Sequence, residues 1–146
     1  MRCRSRLHRW NFYGGGGQKG EADMKALVIP DVHLKPYMFK EAAEWMRKGV
    51  ADRAVCLMDI PDDWNREYDI ELYAQTFDAA ISFAKEFPDT LWCYGNHDLC
   101  YLWNERESGY SRAAAYTVRN KLEELKEALP AGNQIRYIQR IDDVLF

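Results

Sequence analysis

The chain has 146 residues, 47% of them hydrophobic and 29% charged, enough for one packed domain and too apolar for a disordered chain. No apolar run reaches the roughly 20 residues needed to cross a bilayer, so no membrane-spanning helix is expected. The net charge of −3 is uneven: residues 1–23 carry +3 and the remainder −6, and an acidic body argues against general nucleic-acid binding while suiting a protein that gathers cations.

Residues 1–23 read as a flexible leader outside the fold. Arg2, Arg4, Arg6, Arg9 and Lys19 supply their charge, and Gly14 to Gly17 form a stretch with nothing to bury. There is no apolar core of a secretory signal. Lys19-Gly20-Glu21 is a tripeptide whose codons can spell a purine-rich ribosome-binding sequence, so Met24 is the expected natural start and 24–146 the expected domain.

From Met24 onward one pattern repeats three times. The apolar run 25–29 leads into Pro30-Asp31-Val32-His33, the run 53–58 into Asp59-Ile60-Pro61-Asp62-Asp63, and the run 90–94 into Gly95-Asn96-His97-Asp98. Continuous apolar runs of this length are what strands buried on both faces look like. Helical periodicity fills the gaps: Phe39, Ala42, Ala43, Met46 and Val50 after Pro36, then Ile70, Tyr73, Phe77, Ala80, Ile81, Ala84 and Phe87 before Pro88. A third helix is expected from about Ser111 to Leu129, stopped by Pro130 and Gly132. Leu99 to Trp103 read as packing for the loop after Asp98, with Trp64, Tyr68 and Tyr110 at a cleft mouth. This β-α-β-α-β order implies an α/β fold with parallel strands and right-handed crossovers. Parallel strands end along one edge, where ligands bind, so three polar clusters distant in sequence should converge.

Asp31, His33, Asp59, Asp62, Asn96 and His97 would bring carboxylate, imidazole and amide groups together without thiolate. That set suits Mn, Fe or Zn rather than Ca or a cysteine-rich structural zinc. Several carboxylates in one place repel unless a cation joins them. Each cluster alone could be a simple turn; their order and spacing carry the argument. The four cysteines, Cys3, Cys56, Cys93 and Cys100, lack metal-site or disulfide-framework spacing, which excludes a redox or zinc module and suits free thiols in a reducing cytoplasm.

Asp31-Val-His33, Asp59-Ile-Pro-Asp62 and Gly95-Asn96-His97-Asp98 together resemble the calcineurin-like metallophosphoesterase superfamily, whose motifs D-x-H, G-D-x-x-D and G-N-H-[DE] are matched over 24–98 at every specified position but one. The resemblance implies the parallel half of a two-sheet sandwich flanked by helices, a phosphate-ester substrate and two divalent metal ions. Asp31 and His33 would bind one ion, Asp59 would bridge both, and Asn96 would bind the second. His97 would act as general acid or donor to the phosphoryl group, with Asn96 beside it on the substrate, and Asp62 would orient His97. Asp98 would fix the turn. The departures are Met58 in place of Gly, which could displace Asp59 or narrow the site, and Asp63-Trp64 where one branch has Arg-Gly, leaving Arg66 or Arg106 as substitutes. No histidine follows His97, whereas the resemblance implies three more, so a chain truncated before its last ligands is expected, with Asp143 to Phe146 as an interrupted strand. An exposed sheet face and self-association follow from that expectation. A non-catalytic fragment retaining partial metal binding is the alternative.

Overall fold

The computed structural model describes residues 24–146 and, as backbone, residues 8–11. The three apolar runs form three parallel strands: β2 (Lys25–Ile29), β3 (Arg53–Cys56) and β4 (Leu91–Trp92). Ala26 lies opposite Arg53, Ile29 opposite Cys56, and Cys56 opposite Trp92. Ahead of them β1 (His8–Asn11) pairs antiparallel with β2, His8 opposite Val28. Four residues of the expected leader thus extend the sheet, in the order β1-β2-β3-β4. The glycine run, Lys19 to Glu21 and Cys3 lie outside the described residues.

The crossovers are helical, as the periodicity predicts. After β2 comes α1 (Tyr37–Arg47), which stops at Gly49 with φ +65°, a left-handed exit that glycine adopts without a Cβ clash. After β3 comes α2 (Ile70–Glu86), whose cap Asp69 accepts from the N–H of Leu72 at 3.3 Å. Residues 96–103, expected as turn and loop, instead form α3 (Asn96–Trp103). The last helix, α4 (Ala115–Ala128), is shorter than expected at its start. No helix among the described residues is long and apolar enough to cross a membrane.

Strand alternation divides the interior in two. Leu27, Ile29, Cys56 and Trp92 join Phe39 of α1, Tyr73 and Phe77 of α2, and Val118, Leu122 and Leu125 of α4 in the main core. Each such large side chain contributes roughly 1.5–3 kcal/mol by leaving water. On the opposite face Ala26, Val55 and Leu91 pack with Ile141, flanked by Met24, Leu57 and Phe146. The bare sheet face expected there is therefore covered. Its cover is a hairpin of β5 (Arg140–Ile141) and β6 (Val144–Leu145), so residues 143–146 pair back on the chain rather than ending as a lone strand. Asp142, at φ +50°, makes the tight turn between them.

Candidate metal and phosphoryl site

The loops after β2 and β3 continue the parallel ladder beyond the strands. Val32 donates to the carbonyl of Met58 (3.0 Å), His33 to Asp59 (2.8 Å) and Leu34 to Ile60 (3.0 Å). This backbone pairing sets Asp31 and His33 beside Asp59, and one ligand atom from each of the three lies within 4.8 Å of the others. Asp31 is exposed, His33 half-buried and Asp59 buried. The bends carry strain, since His33 (φ +41°), Met58 (+55°), Asp59 (+41°) and Asp62 (+64°) all occupy the left-handed region. Such outliers cost of order 1–3 kcal/mol each and persist where surrounding structure enforces them. At Met58 the positive φ explains why glycine would suit the position. Its side chain is fully buried in the main core, so it does not narrow the site.

Asp59 is held from the third loop. Its Oδ1 accepts the N–H of His97 at 2.9 Å. Burial pushes its carboxyl above the ordinary range, with the His97 N–H pulling the other way. Gly95 packs directly on it: a Cβ there would stand 2.0 Å from Asp59 Oδ1. Asp98, at the third position of α3, is fully buried and accepts from Asp59 (2.8 Å), Gly95 (3.0 Å) and Ile60 (3.2 Å). It fastens the second loop to the start of the helix. Burial pushes the Asp98 carboxyl up to about 7, and Asp59 adds to the rise, against its three N–H donors.

Asp62 orients two imidazoles at once. Its carbonyl lies 3.0 Å from His33 Nδ1 and its Oδ2 lies 3.1 Å from His97 Nδ1. A carbonyl only accepts, so His33 Nδ1 carries the proton and Nε2 keeps its lone pair for a metal. Hydrogen bonding to Asp62 holds the His97 imidazole above its ordinary range. The two rings meet edge to face with centroids 5.1 Å apart. Asn96, exposed, opens α3 between Gly95, which packs on the Asp59 carboxylate, and His97, whose N–H that carboxylate accepts.

Sequence reasoning missed the other half of this network. Tyr73 and Tyr101 donate to Asp62 Oδ1 at 2.9 and 2.5 Å. Burial raises both phenol pKa values, and their charged partner Asp62 raises them further, so both stay protonated as donors. Tyr73 had been visible only as part of an apolar stripe; a phenol on such a stripe needs a buried acceptor, and that was the available signal. Lys35 was also missed: its ammonium reaches the His33 carbonyl at 2.8 Å and Asp63 at 3.4 Å.

A cavity of 140 Å³ opens on this network, lined by His33, Asp62, Asp63, Trp64, His97, Ser108 and Gly109. A larger groove of 480 Å³ between α1 and α2 contains none of the site residues, and the chemistry rather than the size selects the smaller one. Arg66, a candidate phosphate partner, is engaged with Asp69 at 3.3 Å. Arg106 lines a neighbouring pocket instead.

The donor set fits a divalent ion: two carboxylates and an imidazole with a free Nε2, the buried carboxylate destabilised as an anion where no cation accompanies it. Compared with known proteins, the chain matches no protein family, no curated protein and no solved structure.

Proposed function

We propose that the protein is a metal-dependent phosphoesterase of the calcineurin-like type, hydrolysing a phosphomonoester or phosphodiester. One observation carries the reading: Asp31, His33 and Asp59, from the ends of two strands, bring their ligand atoms within 4.8 Å of one another beside an Asp62-oriented His97. Asp31, His33 and Asp59 would hold divalent metal, with Asn96 adding an amide oxygen for a second ion. When bound, such a pair supplies an activated water and neutralises charge on the phosphoryl oxygens.

The chain's own residues do the rest. His97 donates Nδ1–H to Asp62, which leaves Nε2–H to give its proton to the leaving oxygen. Its raised pKa favours the protonated form, as a general acid requires. Asp62 keeps both imidazoles turned, and Tyr73 and Tyr101 saturate the carboxylate oxygen that His97 does not use. The three described cysteines are free and buried, which supports a reducing, cytoplasmic setting. The two-sheet sandwich belongs to the same proposal, whereas the covered sheet face removes the ground for self-association.

A non-catalytic domain that binds a single ion is the second reading, favoured by the one His and carboxylate group, Asp31, His33 and Asp59, that the described residues bring together. Manganese titration of the wild type and Asp59→Asn, followed by hydrolysis of p-nitrophenyl phosphate and bis-p-nitrophenyl phosphate, separates the possibilities. Tight binding and turnover, both lost in the variant, is the expected result. Binding without turnover selects the second reading. Equally poor manganese binding by both proteins overturns both.

A further inference from the structure

The segment that closes the metal-site cavity with Ser108 and Gly109 also lines a second pocket, of 300 Å³, through Arg106 and Tyr110. Glu67, Tyr68, Ser111, Arg112 and Ala113 complete its lining. Neither Arg106 nor Arg112 has a hydrogen-bond or ion-pair partner within the described residues, whereas Arg47, Arg53, Arg66 and Arg119 each have one. Both arginines line this one pocket, in a protein whose net charge is negative, with Glu67 the one acid among the lining residues.

The backbone adds to this. Arg112 and Ala113 lie in the turn that enters α4, a 14-residue helix. Ser111 Oγ caps that turn by accepting from Ala114 at 3.0 Å, and the N–H groups of Arg112 and Ala113 face no acceptor within the described residues. Free N–H groups at a helix start favour an anion, and guanidiniums add bidentate donors for phosphate oxygens. Two aromatic rings stand beside them. Tyr68 is 81% exposed, and Tyr110 is held in place by stacking on Tyr101 at 4.5 Å. An exposed ring next to unpaired arginines suits a ligand with a flat base and a phosphate.

We propose that this pocket binds a nucleotide, Arg106 and Arg112 taking a phosphate and Tyr68 and Tyr110 the base. The substrate class is then a nucleotide whose anchoring phosphate differs from the one hydrolysed. As a substrate subsite this rests on the phosphoesterase reading; as a binding site it stands without it.

The test is calorimetric titration of the full chain in chelator with AMP, inorganic phosphate and adenosine, comparing wild type, Arg106→Ala/Arg112→Ala, Tyr68→Ala and, as a control arginine lining a different groove, Arg47→Ala. AMP should bind more tightly than either fragment, roughly tenfold more weakly to the double arginine variant, more weakly to Tyr68→Ala, and unchanged to Arg47→Ala. All substituted side chains are exposed, so the variants should fold. AMP binding indifferent to Arg106 and Arg112 overturns the site, and so does an equal loss in Arg47→Ala. Phosphate binding as tightly as AMP overturns the nucleotide assignment. Nucleotide binding that survives alongside absent manganese binding would discard the phosphoesterase reading alone.

Discussion

The hydroxyl of Tyr101 sits 2.5 Å from Asp62 Oδ1, on the oxygen opposite the one that faces His97. The same hydroxyl accepts the backbone N–H of Ser111 at 2.9 Å. One phenol therefore joins α3, the loop after β3 and the approach to α4, while Tyr73 donates to the same carboxylate oxygen without holding a backbone N–H. That difference in role predicts unequal losses.

Tyr101→Phe should destabilise the protein by about 1–3 kcal/mol, because it leaves the buried N–H of Ser111 without its acceptor and removes one of the two phenols on Asp62 Oδ1. Tyr73→Phe should cost less. Urea unfolding of the two variants checks the order, and a larger loss in Tyr73→Phe would contradict it.

Asp59→Asn should have opposite effects with and without metal. The Asp59 carboxyl is raised by burial, so its ionisation opposes folding as pH climbs above the ordinary aspartate value of 3.8. In chelator at neutral pH the variant should melt at or above the wild-type temperature. With manganese added, only the wild type should gain stability.

His97 gives a stability term of the other sign. Its raised pKa means that pairing with Asp62 contributes fully below the ordinary histidine value of 6.5 and fades as pH rises through the higher folded value. Metal-free wild type should lose stability on going from pH 6 to pH 9, and His97→Gln should lose less over the same interval. Identical slopes in urea titrations would show that the pair contributes nothing.

Gly95→Ala should be among the most damaging small substitutions. The added carbon would lie 2.0 Å from Asp59 Oδ1 and 2.3 Å from its Cγ, both buried. Relieving that overlap should cost about 1–3 kcal/mol and move a proposed metal ligand, so stability and manganese affinity should fall together.

Met58→Gly tests which of two effects dominates. Removing the Cβ relieves a left-handed backbone worth roughly 1–2 kcal/mol, whereas losing a fully buried methionine costs about 2–5 kcal/mol. The substitution should therefore destabilise despite restoring the residue that the backbone angle favours. A rise in melting temperature would reverse this ranking.

Much of this architecture is legible in the residues. The stripe through Tyr73, Phe77, Ala80 and Ala84 defines α2, and the unbroken apolar runs define β2 and β3, because one hydrophobic face or two must be buried. The structure brings Asp31, His33 and Asp59 together, and it sets Asp62 against His97, as parallel strands ending on one edge require. Short elements were harder. α3 has eight residues and begins on Gly-Asn, chemistry that turns share. The hairpin over 140–145 has two-residue strands, too few for alternation to register, although Asp142-Asp143 between apolar neighbours is a turn signal. Hydrogen bonds that cross between elements, such as Tyr101 to Asp62, leave no periodic trace at all.

The left-handed backbone at His33, Asp59 and Asp62 has one more consequence. The fold meets that conformational expense once, when the chain first collapses, so under the proposed function an arriving cation would find its donors already preorganised and have no loop to remodel. Capture should then be quick and leave the peptide framework where it was.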